Sequence, residues 1–175
     1  MKIAIIYSSF YHNYETELLK NALSFFTKHS PEAETTIQEN LQKLETENFI
    51  INALPNNFNS IYSQVSIAKV AGAMEIPQVT KWLLERNQYA GILVLGCVIK
   101  GETSHFEHVS QVAMNGIAKL ALKFSTPIAN GIITTYTEKD AIERISSNGK
   151  NLGLKTIEAL DAMIHLKNKI SYDHS

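Results

Sequence analysis

Cysteine is nearly absent from this sequence, and several other features are missing as well. The 175 residues contain one cysteine, Cys97, so an internal disulfide is excluded. Cys97 lies in an apolar segment, where we interpret it as an inert core residue rather than a reactive thiol. Sixteen Lys and Arg nearly balance seventeen Asp and Glu, which indicates neither nucleic acid nor an anionic membrane as a partner.

Long apolar runs and a targeting signal are also missing. No apolar run approaches the roughly 20 residues needed to span a bilayer. Residues 1–7 lack the small-residue cleavage site of a signal peptide and fit a first β-strand better. We therefore expect a cytoplasmic protein. The length predicts one domain, 1–175, that is long enough to bury a core of its own.

Short apolar strands alternate with amphipathic helices along most of the chain. Segment 91–99 is almost continuously apolar, as a parallel strand covered on both faces requires. We expect four strands, each followed by a helix, at about 2–8, 65–70, 91–99 and 127–135. This order predicts an α/β fold, a three-layer α/β/α sandwich around a four-stranded parallel sheet.

Residues 29–64 differ in composition from their surroundings. They are rich in Glu, Asn, Gln and Thr, and hold two of the four prolines. Thr36 and Glu39 have the spacing of a capping box, which predicts a short extra helix that begins there. A loop through 55–58 should follow. We interpret this region as an insertion that lies on the domain.

The stretch 94–107 combines a buried strand, a glycine turn and a helix start. Ser104 and Glu107 have capping-box spacing. The free N–H groups of such a turn, together with the helix dipole, predict an anion site. His105 lies in the first helical turn, where the dipole favours its neutral form and suits it to proton transfer. A plain strand-to-helix corner with an exposed histidine explains these residues equally well.

Further candidates follow the other strands. Phe10 could stack on a flat ring, or it could pack as a hydrophobic staple for the next helix. Glu75 follows the small residues 71–73 and could bind hydroxyls or amines, or it could only favour the helix start. Arg144 could bind phosphate or pair with Asp140. Because the carboxyl ends of parallel strands meet at one edge, these candidates predict a site there.

Four segments resemble the lumazine synthase (6,7-dimethyl-8-ribityllumazine synthase) family of riboflavin biosynthesis. They are GAMEIP at 72–77, LGCVIKGETSHF at 95–106, PIANGIIT at 127–134 and AIER at 141–144. The similarity extends over 65–166 and about 1–28, and it implies a flavodoxin-like fold. The reaction it implies joins 5-amino-6-(D-ribitylamino)uracil to 3,4-dihydroxy-2-butanone 4-phosphate, with neither a metal nor an organic cofactor.

The resemblance also implies roles for individual residues. For the pyrimidine substrate it implies ring stacking by Phe10, ribityl-chain contacts by Ala73, Met74 and Glu75, and backbone contacts to the ring by Cys97, Val98 and Ile99. For the phosphate-bearing substrate it implies binding by Glu102, Thr103 and Arg144, with proton transfer by His105. Asn130 stands where several members have an aromatic, and it could hydrogen-bond a uracil edge instead.

One departure from the family and the expected assembly complete what the resemblance implies. Segment 148–152 lacks a lysine that some members have near the phosphate, a role that Lys150 could take. The family forms homopentamers, sometimes packed into larger shells, in which Asn130 and Arg144 would complete a neighbour's site. We expect an isolated pentamer, because the chain starts at its first strand and the insertion at 29–64 would obstruct a shell.

Three alternatives come from other classes. Glu102, His105 and His108 could form part of a zinc site, since both histidines share one helix face. A nucleotide- or flavin-binding module of flavodoxin type is disfavoured because the anion turn follows the third strand rather than the first. A family member that has lost activity and serves as a carrier or assembly protein stays open because of Asn130.

Overall fold

The computed structural model describes residues 1–28, 31–50, 52–55, 58 and 61–172. Strands and helices alternate along it as expected. The elements in chain order are β1 (Lys2–Ser8), α1 (His12–Thr27), α2 (Pro31–Lys43), β2 (Phe49–Ile50), β3 (Gln64–Val70), a 3₁₀ turn (Ala73–Glu75), α3 (Ile76–Glu85), β4 (Gly91–Ile99), α4 (His105–Lys123), β5 (Ile128–Thr135), α5 (Glu138–Ile145) and α6 (Leu152–Tyr172).

The sheet is the middle layer, and its strand order is β2-β3-β1-β4-β5. Strands β3, β1, β4 and β5 are parallel to their neighbours. Successive side chains of a strand point to opposite faces, so Ile3, Ile5 and Leu93 pack with α1, α2 and α6, whereas Ala4 and Ile92 pack with α3 and α4. The α/β/α sandwich with a flavodoxin-like fold is thus confirmed.

The expected strand count of four was too low, because β2 adds a fifth strand in the described part of the chain. It pairs antiparallel with β3, with Phe49 opposite Ala68 and Ile50 opposite Ile67. An unpaired strand edge leaves backbone donors and acceptors exposed. Residues 48–50 cover part of this edge of β3, and the Lys69 N–H there donates to the Asn48 carbonyl at 2.8 Å. Two residues are too few to show the alternation by which a strand is predicted from sequence.

The expected start of the extra helix was also wrong. Helix α2 begins at Pro31, so Thr36 and Glu39 lie inside it and form no cap. Proline is favoured in the first helical turn, where its missing N–H has no intrahelical partner to lose. Ile37 and Leu44 are buried in the same core as β1 and α1. The loop expected at 55–58 lies partly outside the described residues.

None of the helices that the structure describes has the length and apolar character to cross a membrane.

Candidate functional site

A cleft of about 360 Å³ opens at the carboxyl edge of the sheet. This volume is within the range of small-molecule sites. The residues expected from sequence that line it are Phe10, Ala73, Met74, Glu75, Cys97, Val98, Ile99, Thr103 and His105. Six other residues also line the cleft, Tyr11, Ala71, Gly72, Gly101, Phe106 and Val109. Ala71, Gly72 and Gly101 belong to the small-residue segment and the glycine turn expected from sequence. Sequence reasoning missed Tyr11, beside Phe10, and Phe106 and Val109, in the first two turns of α4.

Phe10 forms one wall of the cleft. It follows β1, and its side chain is 72 % exposed. A hydrophobic staple would bury this ring against α1, so the exposure argues against that alternative. The Phe10 ring meets the Tyr11 ring edge-on, with centroids 5.0 Å apart. An exposed ring held in this way presents a flat apolar surface to a planar ligand.

The 3₁₀ turn and the first residues of α3 form a second wall. Ala73 is buried and Met74 is 43 % exposed. Glu75 occupies the N-cap position of α3, but its side chain makes no capping hydrogen bond within the described part of the chain. Its carboxylate is exposed and lines the cleft. This arrangement suits it to receive hydroxyl or amine donors from a ligand.

The end of β4 forms the floor of the cleft. Cys97 is buried. Burial, and to a smaller extent the nearby charge of Glu15, raises the pKa of its thiol to about 12. A thiol with so high a pKa is protonated at neutral pH and is a poor nucleophile. Cys97 therefore offers backbone and apolar surface rather than reactivity. Val98 and Ile99 continue the floor to the turn that precedes α4.

Thr103, in the turn before α4, and His105, the first residue of α4, are both exposed at the cleft. The capping box expected here does not form, because the Ser104 side chain caps no N–H group among the described residues. Ser104 has φ −67° and ψ 0°, whereas a serine cap needs extended backbone. The Thr103 hydroxyl accepts a hydrogen bond from the His105 N–H at 3.4 Å instead.

Glu102, Asn130 and Arg144 are not among the described residues that line the cleft. Asn130 is the third residue of β5, opposite Val94, and its Oδ1 accepts a hydrogen bond from the Ile132 N–H at 3.0 Å. Arg144 lies on α5, where its Nη1 donates to the Asp140 carbonyl at 3.2 Å. Arg144 therefore contacts Asp140 through the backbone carbonyl, and the ion pair with the Asp140 carboxylate is not seen among the described residues.

Lys150 has a partner elsewhere on the surface. Its Nζ lies 3.3 Å from Glu143 Oε1, and it is not among the described residues of the cleft. The zinc alternative also lacks support, because no group of three His, Cys, Asp or Glu side chains among the described residues could hold a metal ion. Glu102, His105 and His108 therefore do not form such a site.

Glu15 is a further residue that sequence reasoning missed. Its side chain is fully buried behind the Phe10 wall. Burial raises its pKa, while hydrogen bonds from Ser8, Cys97 and Tyr11 act in the opposite direction. A signal was present in the sequence, because Glu15 precedes Leu18 and Leu19 by three and four residues and so shares their apolar face.

Comparison with known proteins identifies the family. Residues 48–168 match the family model of 6,7-dimethyl-8-ribityllumazine synthase. The chain belongs to this family. A relative named 6,7-dimethyl-8-ribityllumazine synthase from Burkholderia mallei (strain SAVP1) is 44 % identical over 94 residues, which are 54 % of each chain. One of the same name from Limosilactobacillus reuteri (strain DSM 20016) is 42 % identical over 107 residues, 61 % of this chain and 70 % of the relative.

The matched range holds most of the cleft but not all of it. The 3₁₀ turn, the end of β4 and the turn before α4 fall inside the family match, as do Asn130 and Arg144. Phe10 and Glu15 lie before it. This chain spans about half the length of the Burkholderia relatives that it matches. Because the chain belongs to this family, it is not assigned to the alternative class of flavodoxin-type binding modules.

Proposed function

We propose that this protein is a lumazine synthase that condenses 5-amino-6-(D-ribitylamino)uracil with 3,4-dihydroxy-2-butanone 4-phosphate. The products are 6,7-dimethyl-8-ribityllumazine, phosphate and two molecules of water. The observation that carries the proposal is the cleft itself. In a chain of this family, an exposed aromatic, an exposed carboxylate and a helix start with a histidine all face one cavity.

The pyrimidine substrate fits the part of the cleft between Phe10 and the end of β4. Its flat ring stacks on the exposed Phe10 ring, and its edge meets the backbone of Cys97, Val98 and Ile99. The hydroxyls of its ribityl chain reach the turn at Ala73 and Met74 and the carboxylate of Glu75. These contacts place the 5-amino group toward the turn before α4.

The phosphate-bearing substrate fits the start of α4. The N–H groups and dipole of this helix terminus favour an anion, and the Thr103 hydroxyl and the turn at Glu102 lie beside it. Imine formation between the two substrates releases one water. Loss of phosphate and ring closure follow, and ring closure releases the second water.

His105 is the proton-transfer group in this scheme. It lies in the first turn of α4, at the cleft, where it can move protons as the imine forms and the phosphate departs. Much of the rate enhancement comes from holding the two reactants in one cleft, because that removes the entropy loss of bringing them together in solution. Both substrates supply their own reactive groups, so the protein contributes binding, orientation and proton transfer.

The site is completed by a second copy of the chain. Arg144 and Asn130, which the family resemblance assigns to the site, do not line the cleft of their own chain in the described structure. A homopentamer would place both at a neighbour's cleft. Native mass spectrometry checks this assembly, and a monomer at assay concentration would contradict it.

We also propose that the protein is cytoplasmic. Recovery of the protein with membranes or in the culture medium would contradict this location.

The direct test mixes the purified protein with both substrates. Lumazine fluorescence should appear together with an equal amount of phosphate, and omission of either substrate should abolish both signals. A folded, assembled protein that forms no lumazine would contradict the proposal and favour a carrier or assembly role instead.

A further inference from the structure

Glu15 is a buried acidic side chain that joins three segments at the back of the cleft. It lies in the first turn of α1 and is fully shielded from solvent. Burial of a carboxyl group is unfavourable unless hydrogen bonds compensate for the lost water. The surroundings of Glu15 supply such hydrogen bonds from three directions.

Each of the three donors belongs to a different part of the chain. The Ser8 hydroxyl, at the end of β1, donates to Glu15 Oε1. The Cys97 N–H, on β4, donates to the same oxygen at 3.3 Å. The Tyr11 N–H, in the loop that carries Phe10, donates to Oε2 at 2.8 Å. One carboxyl group therefore fixes the Phe10 loop relative to the end of β4.

We propose that Glu15 is a positioning residue that sets the separation between the Phe10 ring and the carboxyl end of β4. A flat ring that stacks on Phe10 while it contacts the β4 backbone needs both surfaces at one spacing. That this ring is the pyrimidine rests on the proposed function. Thr103 and His105 make no hydrogen bond with Glu15 in the described structure, so the phosphate end of the cleft does not depend on it directly.

The chemistry of the three donors makes the carboxyl group hard to replace. Glutamine has the same shape, but one oxygen becomes an NH₂ group, which only donates. The Ser8 hydroxyl can rotate and accept, whereas the N–H groups of Tyr11 and Cys97 cannot. Either orientation of the amide therefore leaves one backbone N–H facing another donor. Glu15→Gln should loosen the loop or the strand end while it preserves the packing.

The test compares Glu15→Gln with Glu17→Gln, the same change at a partly exposed position on the same helix. Steady-state rates are measured with each substrate varied in turn. Glu15→Gln should raise the KM for 5-amino-6-(D-ribitylamino)uracil about tenfold, as expected for the loss of a hydrogen bond to a charged group. The KM for the phosphate-bearing substrate should stay within about twofold, since the turn before α4 is unchanged. Glu17→Gln should change neither value.

Amide hydrogen exchange provides a second readout that needs no activity. In Glu15→Gln, the amide of Tyr11 or Cys97 should exchange faster than in the unmodified protein, while amides in α6 keep their rates. Should the unmodified protein form no lumazine, the proposed function fails, and exchange alone decides whether Glu15 holds the loop.

Two results would overturn the inference. One is a folded Glu15→Gln variant with unchanged exchange at both amides. The other is an equal rise in the KM for both substrates, which would indicate a general structural role. If Glu15→Gln does not fold, Ser8→Ala takes its place, because it removes one donor and keeps the carboxylate. A rise of about threefold in the pyrimidine KM alone would then support the inference, and no rise would overturn it.

Discussion

At the scale of single residues, His105 and Arg144 face different environments, and their variants should differ accordingly. His105 is exposed in the first turn of α4 at the cleft. Arg144 lies on α5, away from the cleft of its own chain, with one hydrogen bond to the Asp140 carbonyl. Neither residue belongs to a buried core cluster among the described residues. Replacement of either should therefore alter catalysis more than folding.

His105→Ala should lower turnover about tenfold to a hundredfold, because proton transfer loses its side chain while proximity of the substrates remains. The KM for the phosphate-bearing substrate should change little, since the start of α4 persists. Steady-state kinetics and circular dichroism check both points. If the variant fails to fold, His105 is structural and its assignment as the proton-transfer group is wrong.

Arg144→Ala should raise the KM for the phosphate-bearing substrate about tenfold, since a guanidinium contact to phosphate is a charge-assisted hydrogen bond. The pyrimidine KM should not change. Lys139→Ala is the matched control, because it removes a cation from the exposed side of the same helix. If Arg144→Ala leaves the KM for the phosphate-bearing substrate unchanged, Arg144 does not bind phosphate and serves only in its hydrogen bond with the Asp140 carbonyl.

The raised pKa of Glu15 predicts that the free energy of unfolding depends on pH. Burial raises its pKa above the ordinary 4.5 in the folded state, so the folded protein binds this proton more tightly than the unfolded chain does. Its contribution to stability is therefore full below the unfolded pKa and is lost as pH rises through the folded pKa. Tyr7 and Cys97 beside it have pKa values raised to about 12, so they stay neutral in this range.

The measurement is the free energy of unfolding of the unmodified protein minus that of Glu15→Gln, from about pH 4 to about pH 8. Glutamine does not titrate, so the difference isolates Glu15 from the histidines. It should be most favourable to the unmodified protein at low pH and should fall as pH rises. A difference that grows with pH would show that the pKa of Glu15 is lowered.

At the scale of secondary-structure elements, the close approach of α1 and α6 depends on Gly153. A methyl group there would collide with the Leu18 carbonyl oxygen and lie 2.9 Å from Asn21 Cβ. Backbone atoms cannot move aside easily, so Gly153→Ala should lower the free energy of unfolding by about 2 kcal/mol. At Gly101 no described atom lies within 4 Å of such a methyl group.

Gly101→Ala is therefore the matched control, and it should change stability by less than about 0.5 kcal/mol. Urea unfolding of both variants makes the comparison. Equal stabilities for the two variants would mean that the contact between α1 and α6 can widen without loss.

Strong repeating patterns made most elements predictable from sequence. The apolar run 91–99 identified β4. At the start of α5 the Thr137 hydroxyl accepts a hydrogen bond from the Asp140 N–H at 3.1 Å, as the side chain of a helix N-cap does. Short-range signals were less reliable. Capping-box spacing at Ser104 and Glu107 did not produce a cap, because the backbone at Ser104 is near-helical. Strand β2 was missed because two residues carry no pattern.

The candidate site was predictable to the extent that it follows strand ends. Phe10, Glu75 and Thr103 each come directly after a strand or its turn, so topology alone brings them to one edge. Glu15 was missed because it lies inside a helix, and its role depends on contacts with Cys97, 82 residues away. Asn130 and Arg144 could not be placed by strand order, because they lie away from the cleft of their own chain.

At the scale of the whole molecule, the two edges of the sheet differ. Residues 48–50 and 52–53 cover the outer edge of β3, where the Ala53 N–H donates to the Val65 carbonyl at 2.7 Å and Asn52 Oδ1 accepts from the Val65 N–H at 3.2 Å. Asn130 lies on β5, at the opposite edge, and Arg144 lies on α5, which follows it. In the proposed assembly, contact with a neighbour's cleft is therefore made from the β5 side.

The central claim is a lumazine synthase whose site is shared between two copies of the chain. The most direct measurement refolds His105→Ala together with Arg144→Ala in equal amounts and follows lumazine formation below the KM of the phosphate-bearing substrate. Random mixing pairs an intact His105 with an intact Arg144 at about one quarter of the interfaces. We predict recovery to about that fraction of the unmodified rate. Mixed assemblies that form but stay as inactive as the single variants would contradict the claim.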